Sequence, residues 1–191
     1  MEGLTITPDE KYLVGIMQSA MYNPFDDRAN VRTNSNVTRL LFSQIATDDT
    51  KQYLYFQEAP NLSNSEIRAI SSTEFIVLER DGKFAGHPTS PAVYKRFYSI
   101  DVSDATDVSD PNNGELGLTF DVGGETKTIE QMSMQQSKDA GVKPVRKLLY
   151  LDLLDQDPNY PHDKPEGFIV MKDGRLGVIN DGAWTLPARF S

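Results

Sequence analysis

The sequence contains no cysteine and only two histidines. The first absence excludes a disulfide framework, a thiolate metal site and a thiol nucleophile, and it leaves the compartment open. Basic residues are short as well: 19 Lys and Arg stand against 28 Asp and Glu, a formal charge of −9. Neutralising phosphates along a nucleic acid needs clustered Lys and Arg, so this balance argues against a nucleic-acid partner and fits a cation better. No apolar run approaches the roughly 18 residues a membrane-spanning helix needs. There is no Gly-x-Ser-x-Gly elbow, no P-loop, no dinucleotide fingerprint and no zinc-binding helix. The two histidines, His87 and His162, each sit beside a proline in a loop-like stretch. That context reads as solvated imidazole more readily than as a catalytic base. What remains is ordinary for a globular domain: 191 residues, 38% of them hydrophobic, enough to bury a core.

Short alternating strands punctuated by turns dominate the chain. Strands are expected over 4–6, 12–17, 39–45, 52–57, 67–70, 74–78, 96–102, 116–122, 147–153, 167–171 and 175–179. Pro8-Asp9, Asp81-Gly82, the 111–114 stretch Pro-Asn-Asn-Gly, Gly123-Gly124 and Asp173-Gly174 separate them. Gly and Asn tolerate positive φ and Pro fixes φ, so these residues mark turns. One helix is expected from about Thr128 to Ala140, stopped by Gly141. The stretch from Tyr22 to Asn36, with Asp26, Asp27, Arg28 and Arg32, and the stretch from Lys83 to Val93 read as long loops.

Self-comparison reveals a repeat. Segments starting at Glu2, Glu66 and Glu166 each read acid, short strand, tight turn, second strand. A basic-then-apolar strand recurs at Arg39-Leu40-Leu41-Phe42, Lys95-Arg96-Phe97-Tyr98 and Lys147-Leu148-Leu149-Tyr150. Repeats of a four-stranded unit are the mark of a β-propeller, in which each blade packs on its neighbours. The expected fold is therefore all-β and propeller-like, a single domain over residues 1–191 built from antiparallel four-stranded repeats. At about 40–50 residues per blade the chain holds roughly four blades or fewer, so a partial propeller is expected. The uneven spacing of the three acids implies insertions. The chain enters a strand pattern directly after Met1, which reads as a segment of a longer domain. Unpaired edges would then favour self-association or a partner that supplies missing blades.

Three runs in order carry a family resemblance. Glu2-Gly3-Leu4-Thr5-Ile6-Thr7-Pro8-Asp9 leads to Gln18-Ser19. Ser65-Glu66 is followed by Phe75-Ile76-Val77-Leu78-Glu79-Arg80-Asp81. Lys164-Pro165-Glu166-Gly167 runs through Gly174-Arg175-Leu176 to Asn180-Asp181. In this order they resemble the phytase-like proteins described as having esterase-like activity, covering the C-terminal part of that family's domain. The resemblance implies a hydrolase acting on phosphate or other esters, in an extracellular or periplasmic setting, and a small-molecule ester or phosphate as partner.

The innermost strand of a propeller blade faces the central channel, so Glu2, Glu66 and Glu166 are expected at one mouth. Converging carboxylates repel unless a cation or proton sits among them, which makes them candidate calcium ligands, with Gln18, Asn180 and Asp181 as companions. The competing reading gives each glutamate its own arginine or a backbone N–H. Arg80 is either half of an ion pair with Glu79 or a bidentate clamp for a substrate anion, with Asn180 and Asp181 beside it. The Asp101, Asp104, Asp107 and Asp110 series lacks the glycine and closing glutamate of an EF-hand and reads as a solvated acidic turn. Trp184 reads as a packing anchor. A non-catalytic propeller serving as a binding module is the alternative to the hydrolase, and the separating feature is whether the acids converge or each find a private base.

Overall fold

The computed structural model describes residues 1–22, 31, 34–83, 86–110, 117–157 and 160–180. The loop residues Asp26, Asp27, Arg28 and Arg32, the 111–114 turn, Asp181 and Trp184 lie outside them.

Among the described residues the fold is all-β with almost no helix. Sheet 1 is a meander of β1 (Gly3–Ile6), β2 (Tyr12–Ile16), β3 (Val37–Gln44) and β4 (Thr50–Phe56). Sheet 2 begins the same way with β5 (Ser63–Ala69), β6 (Glu74–Arg80) and β7 (Lys95–Asp101). Its fourth strand arrives only after an insertion holding the hairpin β8 (Thr119–Val122) and β9 (Glu125–Thr128), a 3-10 turn (Ile129–Gln131) and the short helix α1 (Met134–Asp139). That strand, β10 (Arg146–Asp152), pairs with β7. The hairpin β11 (Pro165–Val170) and β12 (Leu176–Asn180) starts a third unit. The architecture is a partial propeller-like arrangement of radial sheets, as the repeat implies.

Apolar faces hold the units together. Val14, Ile16, Leu40, Phe42 and Tyr55 of sheet 1 interleave with Ile67, Phe75, Val77, Tyr98 and Ile100 of sheet 2. Phe42 makes an edge-on contact with Phe75, centroids 5.5 Å apart. On the opposite face of sheet 2, Ile76, Leu78 and Phe97 receive Phe168 of β11. The insertion packs Ile129, Met132 and Val142 on the outward face of sheet 1, against Val37, Leu54 and Phe56. It also caps the edge of β4, where Val108 N–H donates to Gln52 O and Val145 N–H to Leu54 O. The innermost strands touch: Ala69 N–H donates to Thr5 Oγ1 at 3.2 Å, and Arg68 Nε to Phe168 O at 3.0 Å.

The helix expected over 128–140 divides. Thr128 and Ser133 each head a capping box, and Met132 between them is extended. Two N-terminal caps five residues apart start two short turns and prevent one continuous helix. The first residue of the expected helix, Thr128, is instead the last of β9, which the Gly123-Gly124 turn, both glycines at positive φ, folds back on β8.

Gly3 lies where β1 crosses β5: a Cβ there would stand 2.6 Å from Ile67 N and 2.8 Å from the Glu66 carbonyl carbon, both immovable backbone. Gly3→Ala should therefore prise the two innermost strands apart and cost about 1–3 kcal/mol, read as a lower urea midpoint with an unchanged slope.

Candidate functional site at the mouth of the sheets

Antiparallel meanders send alternate connections to opposite ends. The described residues of 17–36, 57–62, 81–94 and 153–164 lie at the end where β1, β5 and β11 begin, while the other end has the tight turns 7–11, 45–49, 70–73 and 171–175 and the described part of the insertion. The mouth is therefore the end at which the sequence candidates gather.

Two of the three innermost strands, β5 and β11, enter the mouth through a β-bulge. In β5 the register slips between Asn64 and Glu66, leaving Ser65 as the extra residue. In β11 it slips between Pro165 and Gly167, leaving Glu166. At β1, Glu2 N–H donates to Ile16 O while Gly3 also pairs with Ile16. Counting back from the three hairpin turns puts Glu2, Ser65 and Glu166 at one position and Gly3, Glu66 and Gly167 at the next. Sequence alignment of the acids is thus offset by one residue in the middle repeat. Bulges re-aim side chains next to functional sites, and the two in β5 and β11 stand at equivalent places.

The acids are engaged by arginines. Glu66 accepts from Arg68 at 3.0 Å and from the Ile67 N–H at 2.9 Å. Glu166 pairs with Arg80 at 2.5 Å, linking β11 to the end of β6. Glu2 is exposed at the rim. Among the described residues no three His, Asp or Glu gather into a metal-holding group. Gln18 contributes its backbone carbonyl, which accepts from Asn64 N–H and from Gln57 Nε2. Asn180 is held by the Tyr160 hydroxyl at 3.0 Å and by Asp163 at 3.3 Å. Both histidines are exposed; His87 Nδ1 accepts the Ser90 N–H, and His162 lies against the Tyr160 ring. The acidic series disperses onto local partners, Asp101 to Arg146, Asp104 to Lys143 and Asp107 to Ser109.

Glu79-Arg80-Asp81 forms the polar centre of the mouth, and alternation along β6 sends each side chain to a different partner. Glu79 and Arg80 do not pair with each other. Glu79, fully buried, accepts from Tyr55 Oη at 2.6 Å, Lys147 Nζ at 2.8 Å and the Glu58 N–H at 2.9 Å. Lys147 lies over the rings of Tyr55 and Tyr98, at 4.6 and 3.9 Å. Arg80 faces Glu166, and its buried Nε has no partner, nor has the buried Ser65 hydroxyl. Asp81 accepts the Val93 and Tyr94 N–H groups and Lys95 Nζ, while Lys95, fully buried, also donates to the Asp163 carbonyl.

Burial pulls the Lys95 ammonium below its ordinary pKa and Asp81 opposes the shift. Burial pushes the Tyr160 phenol up to about 12, with the Asp163 and Glu166 charges adding to it. Asp163 is raised by burial but held below its ordinary value by the Lys164 N–H and the Asn180 amide.

Lys95, Lys147, Tyr55, Asp81 and Asp163 escaped the sequence reading as site residues. Their signal was the recurring basic residue at the head of a strand: Arg39, Lys95 and Lys147 each bury an ion pair, with Glu130, Asp81 and Glu79.

Chemically, the mouth offers two arginine–glutamate pairs, Arg68–Glu66 on β5 and Arg80–Glu166 between β6 and β11, and the Asn180 amide at the end of β12. It can exchange a carboxylate for another anion, or an arginine for a cation, and it shows no assembled nucleophile–base pair among the described residues. A search of curated proteins and a search of solved structures each returned no match. One family model does match, over residues 1–182, and its description is phytase-like, esterase-like activity of phytase. With nearly the whole chain covered, and the three runs of the resemblance starting at the entries of β1, β5 and β11, the chain belongs to the phytase-like family.

Proposed function

We propose that the chain is a hydrolase domain acting on phosphate or other esters at this mouth, in an extracellular or periplasmic setting. The observation that carries the reading is the Arg80–Glu166 pair, an arginine and a carboxylate that meet between two units at the mouth of a chain from a family described by esterase-like activity. In this reading Arg80 receives the anionic group of the substrate as Glu166 lets go, because guanidinium matches carboxylate and phosphate in the same bidentate manner. Asn180, held by Tyr160 and Asp163, is the amide that orients the ester in this reading, and Asp181 is assigned with it from the sequence alone. Hydrolysis of p-nitrophenyl acetate, p-nitrophenyl phosphate and inositol hexakisphosphate by the 191-residue chain tests it. Turnover is expected, with Arg80→Lys raising KM for the phosphate esters and sparing the acetate. Absence of turnover on all three overturns the assignment.

Calcium enters this reading only through Glu2, Glu66 and Glu166, and binding there requires Arg68 and Arg80 to be displaced. At 100 times its dissociation constant a ligand adds about 2.7 kcal/mol, which for this length is a rise of roughly 5–10 °C in Tm. Melts in EDTA and in millimolar Ca²⁺ decide the matter. A rise that Glu66→Gln with Glu166→Gln abolishes supports the cation; an unchanged melt removes it and leaves the arginines as the charged groups that meet substrate.

A second reading, a non-catalytic binding module, is favoured by one observation, that Glu66 and Glu166 each hold a private arginine. Retention of inositol hexakisphosphate without turnover would select it.

A further inference from the structure

The Arg80–Glu166 pair uses half of what one edge of a guanidinium offers. Glu166 Oε1 meets Nη2 at 2.5 Å, while the buried Nε on the same edge has no partner among the described residues. A carboxylate free to align would take both N–H groups side by side. Glu166 is held off by its origin, because it is the extra residue of the β11 bulge and the bulge, not the ladder with β12, aims its side chain.

The pair is also a minor part of what docks the third unit. Phe168 is fully buried among Ile76, Leu78 and Phe97, and its carbonyl accepts from Arg68 Nε at 3.0 Å. The other acids on this side of the mouth are committed elsewhere. Asp81 serves Lys95 and the Val93 and Tyr94 N–H groups, and Asp163 the Lys164 N–H and the Asn180 amide. Of the two paired side chains, Arg80 is 7% exposed and Glu166 24%, so the carboxylate is the one with a way out to the rim.

Resting on the reading of Arg80 as the anion receptor, we infer that Glu166 is a built-in competitor for that site, and that anion binding is coupled to the docking of β11–β12 on sheet 2. An anion and Glu166 cannot both hold Nη2. The anion therefore binds only the fraction of molecules in which Glu166 has turned to the rim, and its apparent affinity falls by that fraction. A phosphate wins the exchange by bringing two oxygens, one for Nη2 and one for the Nε that Glu166 leaves unused. Turning out breaks the ion pair that ties β11 to β6. Linkage is reciprocal, so an occupied Arg80 loosens the hairpin and a loosened hairpin favours occupancy.

Calorimetric titration with inorganic phosphate tests the inference, because it reads binding without turnover. Glu166→Gln keeps the size and removes the charge, and it should bind phosphate about 10-fold more tightly, or better, than the unaltered chain. Adding Arg80→Gln should abolish that gain. Circular dichroism checks folding, and Glu166→Ala stands in if Glu166→Gln does not fold. Hydrogen exchange reads the coupling. Saturating phosphate should speed exchange over residues 165–180 in the unaltered chain and leave Val14, Leu40 and Leu54 as they were. In Glu166→Gln exchange over the hairpin should already be fast, with no further change on adding phosphate. The same phosphate affinity in both chains, binding to neither, or hairpin exchange that phosphate leaves unchanged or slows overturns the inference. Ester turnover is a separate readout. A chain that hydrolyses no ester yet shows the gain and the faster exchange keeps its competitor and loses the hydrolase assignment; turnover with equal phosphate affinities does the reverse.

Discussion

Glu79→Ala should be the most damaging single change in the molecule. The carboxylate is fully buried between the first two sheets and satisfies three donors at once, the Tyr55 hydroxyl, the Lys147 ammonium and the Glu58 N–H. Removing it leaves a largely buried lysine without its strongest counter-charge; the remaining acid, Glu58, is half exposed. Loss of one partner of a buried pair costs about 3–5 kcal/mol, far more than the pair itself contributes. For a domain of this length that is a fall of roughly 6–20 °C in Tm. The companion change separates the two quantities. Glu79→Leu with Lys147→Met removes both charges, and it should recover part of the loss: the uncompensated buried charge is gone, while the Tyr55 hydroxyl and the Glu58 N–H still lack their acceptor. A double variant as unstable as Glu79→Ala would show that the pair is worth more than its desolvation.

Phe168→Ala should have a comparable cost but a local one. Phe168 is fully buried and meets Phe97 edge-on with centroids 4.9 Å apart, anchoring β11–β12 to sheet 2. Truncating a buried phenylalanine costs about 3–5 kcal/mol through lost transfer energy and the cavity left behind. Radial units contact only their neighbours, so the hairpin can detach without taking sheet 1 with it. Hydrogen exchange should lose protection over residues 165–180 while Val14, Leu40 and Leu54 keep theirs. Uniform loss across the chain would mean that the third unit is part of one cooperative core.

Strand positions were legible because period-two alternation and the Gly, Pro and Asn turns are local signals, and β3, β6 and β7 fall within a few residues of expectation. β9 was not legible: Glu125-Thr126-Lys127-Thr128 has no apolar alternation and is a strand only because Gly123-Gly124 reverses the chain onto β8. The repeat was visible, but its phase was not. A bulge adds a residue without altering composition, so nothing in the sequence says that Ser65, and not Glu66, stands where Glu2 and Glu166 stand. The partners of the charged residues were hidden for a related reason. Glu79 and Arg80 are adjacent in the chain and on opposite faces of a strand, so their true partners, Lys147 and Glu166, come from elements 68 and 86 residues away. The uneven spacing of the acids pointed correctly to an insertion, whose place between β7 and β10 only the pairing reveals.

Because residues 102–145 intervene between β7 and β10, the last strand of sheet 2 has the longest journey of any neighbour pair. Loop closure grows costlier with length, by about 0.6 kcal/mol for each doubling, and non-local pairings of this kind slow folding. The segment does not cross that distance unsupported. It lies first along the finished edge of β4, at Gln52 and Leu54, and Val145 of this edge contact directly precedes Arg146, the first residue of β10. Sheet 1 thus lends its edge as a rail along which the chain reaches β10 and returns to β7.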